Sequence, residues 1–356
     1  MAFSTSWEKY FEIDSDSSRV PSDQTGVHSI LDLSILGSGH GFWTNIESDA
    51  ASLRFTDEND DEVAFHIRNF DKTGKKGQIW FLGDYTGATD TKFRSYYKNS
   101  GASAYSETDT YGQHAVYDSN FKGFWPFDEA TAEDVKDMTG NSVDEGAGSS
   151  SATTATGKVG KCFDFNGSSN NITFESGVDT NLSPTGDMQI EIWFYAHAKG
   201  SDVLWSTRLD STNKGWGIWF WNSNLRISNG VASSGDVWSN LAYPLASISL
   251  NTWYKVVYNR NGNTHKLYVN DVEVDSYSKS GSTAYSGSQM NVGTRASGDD
   301  FDGLLDLLKV HDTYRAVDWN TIVYEMESDN AGFWTVGAEQ DNVAAASGVR
   351  KQNISI

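Results

Sequence analysis

Trp253-Tyr-Lys-Val-Val-Tyr-Asn259 and Lys266-Leu-Tyr-Val269 flank a Gly- and Asn-containing turn. Both runs are short, rich in aromatic and β-branched residues, and bounded by turn formers. That combination reads as two strands of an antiparallel hairpin. The pattern extends in both directions. Toward the C-terminus come Met290–Gly293 and Leu304–Val310. Toward the N-terminus come Leu225–Ser228, Gly217–Trp221, Val203–Ser206, Gln189–Tyr195, Asn171–Phe174 and Cys162–Phe165. A further series precedes these: Phe11/Ile13, Ile30–Ile35, Leu53/Phe55, Val63–Ile67, Ile79–Leu82 and Phe93–Tyr97. Helical periodicity is confined to Val317–Glu325. Strands at this density, with Gly, Asp and Asn between them, predict an all-β protein of two β-sandwiches.

Composition agrees. The 356 residues include 13 Trp, 16 Tyr, 18 Phe and 33 Gly but only 4 Pro. So many aromatics exclude a disordered chain. Acidic residues number 48 against 27 basic, a formal charge of −21. That balance argues against nucleic acid and against anionic membrane surfaces, both of which demand cationic side chains. No apolar stretch is long enough for a membrane-spanning helix, so no membrane insertion is expected. Cys162 is the only cysteine. It excludes an intrachain disulfide and a thiolate zinc site, and reads as a small core residue. Three Trp precede Asp118 and ten follow it. The expected division is therefore 1–118, 119–338 and a tail at 339–356. Gly146–Gly157 has the composition of a linker.

Five pieces of the second part carry a resemblance. These are Gly157-Lys-Val-Gly-Lys-Cys-Phe-Asp-Phe-Asn-Gly167, Ile190-Glu-Ile-Trp193, Trp253–Tyr258 with Lys266–Asp271, Asn291-Val-Gly293, and Phe301-Asp-Gly-Leu-Leu-Asp306. In order and spacing they resemble laminin-G-like, concanavalin A-like lectin jelly rolls. The resemblance makes Gly146–Gly157 a loop inside that domain. The first part resembles a β-sandwich family of unknown function that often precedes such domains. It does so through Trp7–Asp14, Ser52–Asp57, Val63–Ile67, Gly77–Phe81 and Thr91–Asn99. Neither resemblance supplies a catalytic residue.

The candidate ligand site lies in Gly215-Trp-Gly-Ile-Trp-Phe-Trp221. On a strand, Trp219 and Trp221 share one face, and Trp216, Ile218 and Phe220 the other. One set must pack between the sheets. The other can offer indole faces to the C–H patches of sugar rings, with Asn222, Asn224 and Arg226 as hydrogen-bonding neighbours. The expected carbohydrate-binding residues are Trp216, Trp219, Trp221, Arg226 and Trp238. Core packing or a subunit contact is the competing reading. Asp306 alternates with Leu304, Leu308 and Val310, and a carboxylate on an apolar face needs a partner. The resemblance implies a structural Ca²⁺ there, with Asp137 and Asn141 as the other ligands. Capping of Asp306 by backbone N–H groups or by an Arg is the alternative.

Signs of catalysis are absent. Concanavalin A-like glycosidases carry paired acids on one strand, which retaining hydrolysis requires. Glu12-Ile-Asp14-Ser-Asp16 only approaches that spacing, in the wrong domain, and Glu191 has no acidic neighbour on its strand. The seven His form no metal-binding pair. The opening MAFSTSWEKY lacks the features of a secretory leader. A lectin-like domain without leader, anchor or disulfide points to a virion surface protein of a tailed phage, made in the host cytoplasm. It would be a tail-fibre or spike adhesin or a capsid decoration protein. Its expected partners are glycans on a host or environmental surface and other virion proteins, with homo-oligomers compatible with display. The alternative is a secreted or cell-surface bacterial adhesion module. A glycoside hydrolase is disfavoured, and a purely architectural protein without a ligand is the fourth reading.

Overall fold

The computed structural model describes residues 3–146, 149–150, 152–174, 182, 185–207, 215–229, 241–281, 289–294 and 299–343. Within these the fold is all-β, in two sandwiches. The first pairs a three-stranded sheet, in the order Gln24–Asp32, Lys76–Tyr85, Phe65–Asp71, with a five-stranded sheet built on Lys9–Ser15. Lys9–Ser15 pairs with Lys92–Tyr97, which in turn pairs with Arg54–Asp57. The second sandwich stacks a six-stranded sheet on an eight-stranded one. Its core holds inward residues of both, including Ile190, Ile192, Phe194, Trp205, Trp216, Ile218, Phe220, Val256, Tyr258, Leu305, Leu308 and Val310. Strand Thr153–Thr156, inside the linker-like stretch, pairs with Lys161–Asn166 at the edge of the eight-stranded sheet.

The outer face of the eight-stranded sheet is also covered. Helix Val317–Ser328 lies there, longer by three residues than the periodicity predicts. Its Trp319, Ile322, Val323 and Met326 join one buried cluster with Trp80, Phe81, Phe121, Phe124, Trp193 and Leu307. That cluster holds residues of both sandwiches and unites them. The chain then returns to the first sandwich. Trp334–Val336 and Gln340–Asp341 each pair antiparallel with Lys9–Ser15. This corrects the expected boundaries: Trp334–Val336, before the expected boundary at 338, and Gln340–Asp341, inside the expected tail, both pair with the first sandwich. The physical reason is the open edge of Lys9–Ser15, whose unpaired N–H and C=O groups accept another strand.

Charges are buried where helix meets sheet. Glu191, Lys255, Lys309, His311 and Glu327 are all at most 3% exposed. Lys255 Nζ sits 2.5 Å from Glu191 Oε2 and 2.8 Å from Glu327 Oε2. Lys309 Nζ binds Glu327 Oε1 and lies 3.7 Å from Glu191 Oε1. Two lysines thus face two glutamates. Trp193 Nε1 also donates to Glu327, at 2.8 Å. Gln189 Nε2 donates to Asn320 Oδ1 at 2.7 Å, and Asn259 Nδ2 to Gln189 Oε1 at 3.2 Å. Glu191 therefore stands among lysines, unlike the solitary residue of its strand pattern.

Glu327→Ala leaves two buried ammonium groups sharing one carboxylate, and should cost about 3–5 kcal/mol in urea unfolding. Glu273→Ala, which breaks the exposed pair with Lys266, should cost about 1 kcal/mol or less. His311 is packed against Phe121, and burial pushes its pKa from 6.5 down to about 4. The unfolded chain therefore takes up the proton first as pH falls. The stability His311 contributes is complete above pH 6.5 and is lost down to pH 4, about 3 kcal/mol in all. An NMR titration should show its ring neutral at pH 5, and His311→Gln should flatten the fall in stability.

Candidate functional site

Strand Trp216–Trp221 runs between Asp202–Ser206 and Asn224–Asn229 in the six-stranded sheet. Its alternation divides as expected. Trp216, Ile218 and Phe220 point into the core. Trp216 is wholly buried and meets Trp205 edge-on at 4.5 Å. Its assignment to the ligand site is therefore corrected: it is a packing residue. Trp219 and Trp221 turn to the other face. Trp219 is 5% exposed and Trp221 38%. Trp219 pairs in register with Arg226, and the Arg226 guanidinium carbon lies 5.7 Å from the centre of the Trp221 ring. Trp238 lies outside the described residues.

This face changes character along the strands. Thr173, Asn291 and Ser206, in register across three neighbouring strands, are buried. Thr173 Oγ1 donates to Asn291 Oδ1 at 3.1 Å. The accessible end is the hairpin Trp221-Asn-Ser-Asn224. Asn222 and Ser223 have φ of 49° and 61°, the left-handed pair that a two-residue hairpin turn requires. The turn holds Asn222 exposed beside Trp221, and Asn224 Nδ2 donates to Asn222 O at 2.8 Å. An indole, a guanidinium and two amides thus meet at one hairpin tip. They offer an apolar ring face with donors and acceptors at its rim, a surface suited to a sugar ring.

The residues expected to hold calcium do not fit it. Asp137 Oδ1 accepts from Phe124 N at 3.1 Å and Thr139 N at 2.9 Å. Its Oδ2 accepts from Val143 N at 3.2 Å and Thr139 Oγ1 at 2.8 Å. Asn141 spends its Nδ2 on Phe121 O and Thr139 Oγ1. These donors turn positive ends toward the carboxylate, where a cation would sit. Burial still pushes the Asp137 carboxyl up to about 6. Asp306 is also misplaced by simple alternation. The register slips at this point of the strand, and Leu307 takes φ 51°. Leu305, Leu308 and Val310 face the core, whereas Leu307 joins the junction cluster. Asp306 lies under the Gly157–Gly160 turn, where its Oδ2 accepts from Val159 N at 3.1 Å. A Cβ at Gly157 would come within 2.5 Å of that oxygen. Burial raises the Asp306 pKa well above the usual carboxylate range. Among the described residues, no three His, Cys, Asp or Glu side chains are grouped to hold a metal.

The two outward tryptophans should separate in a stability measurement. Trp221→Ala should change thermal stability by under about 0.5 kcal/mol, as a surface substitution does. Trp219→Ala should cost about 3 kcal/mol through the cavity it leaves.

Comparison with known proteins finds likenesses for the second sandwich. Residues 166–323 match the family model of the concanavalin A-like lectin/glucanases superfamily. Among curated proteins, none matches the chain. Similar solved structures include domain 4 of AbnA, a GH43 extracellular arabinanase from Geobacillus stearothermophilus, in complex with arabinotriose. It is 18% identical, over 58% of this chain and 98% of that one, with a TM-score of 0.45. The binding domain of Paraclostridial Mosquitocidal Protein 1 is 16% identical, over 58% and 52% of the two chains, with a TM-score of 0.46. The botulinum neurotoxin serotype D ligand binding domain, in complex with N-acetylneuraminic acid, is 14% identical over 60% and 52%, also at 0.46. The match spans about half the length of either toxin domain. The second sandwich thus has a concanavalin A-like fold, and its residues 166–323 match that superfamily's model.

Proposed function

We propose that this chain is a non-enzymatic glycan-binding protein, displayed on the surface of a tailed-phage virion as an adhesin or capsid decoration protein. One observation carries the binding reading. The outer face of the eight-stranded sheet is closed by the helix and the first sandwich, whereas the six-stranded sheet ends in the accessible Trp221–Arg226–Asn222 tip. A lectin-like fold with an open aromatic tip is suited to hold a sugar on its surface rather than enclose it. The carboxylates of the covered face support the non-enzymatic reading. Glu191 and Glu327 are locked between lysines, so neither is free to protonate or attack a glycosidic bond. The single cysteine supports folding in a reducing host cytoplasm before display. The charge of −21 supports solubility at dense display.

A glycan array probed with the whole chain tests the binding claim. The expected result is selective binding, lost in Trp221→Ala and weakened at least tenfold in Arg226→Ala, with both variants folded. Binding unchanged in both variants would move the site elsewhere. Mass spectrometry of purified phage particles tests placement, and a chain found only in secreted or cell-wall fractions would overturn the virion reading.

A further inference from the structure

A cleft of about 240 Å³ opens where the two sandwiches meet. Arg68, Glu107, Gln113 and His114 come from the first sandwich; Glu129, Lys136, Thr139, Ser142 and Asp144 come from the second. The cations on its walls already have partners. Arg68 forks onto Asp128, with Nε 2.9 Å from Oδ2. Lys136 Nζ reaches Asp144 at 3.0 Å. Asp137, beneath them, is filled by its own loop, and His114 Nε2 stands 3.8 Å from the Glu107 carboxylate.

Glu129 is the exception. Its side chain is 10% exposed. Oε1 takes two long bonds, from Arg68 Nη2 and Lys136 N, each at 3.3 Å. Oε2 is buried and accepts no hydrogen bond. Burial first, and the neighbouring Asp128 next, push this carboxyl up to about 7. A buried carboxylate oxygen without a donor is costly, and a charged donor would relieve it best. Across the cleft, Gln113 spends its amide N–H on Met138 O, which leaves the amide oxygen for a ligand. The volume is below the roughly 300 Å³ where drug-sized pockets begin.

We propose that this cleft binds a small primary ammonium compound, of monosaccharide or amino-acid size, with Glu129 Oε2 accepting from its ammonium and the Gln113 amide oxygen and Ser142 hydroxyl holding a neighbouring hydroxyl. The site is independent of the glycan tip, which lies on the opposite sheet of the second sandwich. Binding requires ionised Glu129. Affinity therefore falls as pH drops below about 7.

Ligand-observed NMR titration of the full chain, with ethanolamine against ethylene glycol at pH 8, tests this. Saturable binding of ethanolamine alone is expected, about tenfold weaker at pH 6. Glu129→Gln should weaken it at least tenfold. Gln113→Ala, which leaves the Arg68 and Lys136 pairs untouched, should weaken it severalfold. Glucosamine against glucose, and serine against glycerate, distinguish an amino sugar from an amino acid as the source of the amine. The proposal is overturned if no amine binds saturably, if ethylene glycol binds as well, or if folded Glu129→Gln binds undiminished.

Discussion

The two-lysine, two-glutamate cluster at Glu191, Lys255, Lys309 and Glu327 is the constraint on which the rest of the molecule depends. Three of its members belong to adjacent strands of the eight-stranded sheet, and only Glu327 comes from the helix. Without the helix, the sheet would carry two lysines and one glutamate on its face, all of them hydrated. Docking removes that water, so the seam closes only if the fourth charge arrives in register. Such a cluster adds little net stability over an apolar seam of equal size, but it defines one docking position. A helix shifted by one turn would leave two ammonium groups buried and Glu327 stranded.

Fixing the helix has consequences in both directions along the chain. Toward the first sandwich, it positions Trp319, Ile322, Val323 and Met326 against the three-stranded sheet. Arg19 then reaches Glu325 and Asp329 at 2.7 and 2.8 Å. Past its end, Trp334 donates its indole N–H to Ile30 O at 2.9 Å, and the chain joins the edge of Lys9–Ser15. Toward the second sandwich, it closes one sheet face and leaves the other to meet solvent. The two sandwiches share an apolar seam, and the Asp128–Arg68 pair beside it forms one wall of the junction cleft.

The strands and the division of Trp216–Trp221 into two faces were legible because alternation is a local property. So was the need of Asp306 for a partner, since it follows from a carboxylate among apolar neighbours. Backbone N–H capping of Asp306 was one of the readings the sequence left open, but which residues supply the donors was not legible. Backbone N–H groups of Thr139 and Val143 serve Asp137 and that of Val159 serves one oxygen of Asp306, and nearly every residue type carries such a donor. The single-residue slip at Leu307 moved Asp306 to the other face, with no glycine or other turn signal at that position to announce it. The strand pattern gives no sign that Lys255, Lys309 and Glu191 are buried. Their burial depends on a helix far along the chain. The returning strands Trp334–Val336 and Gln340–Asp341 are too short to show a period, and what recruits them is an open edge formed more than 300 residues earlier. Glu129 carried no signal in the chain at all, because its vacancy exists only where the two sandwiches meet.

The central claim is that the charged seam and the returning strands make the two sandwiches one cooperative unit. Differential scanning calorimetry of the full chain tests it most directly. The account predicts a single transition whose calorimetric and van't Hoff enthalpies agree. Two resolved transitions, one for each sandwich, would contradict it.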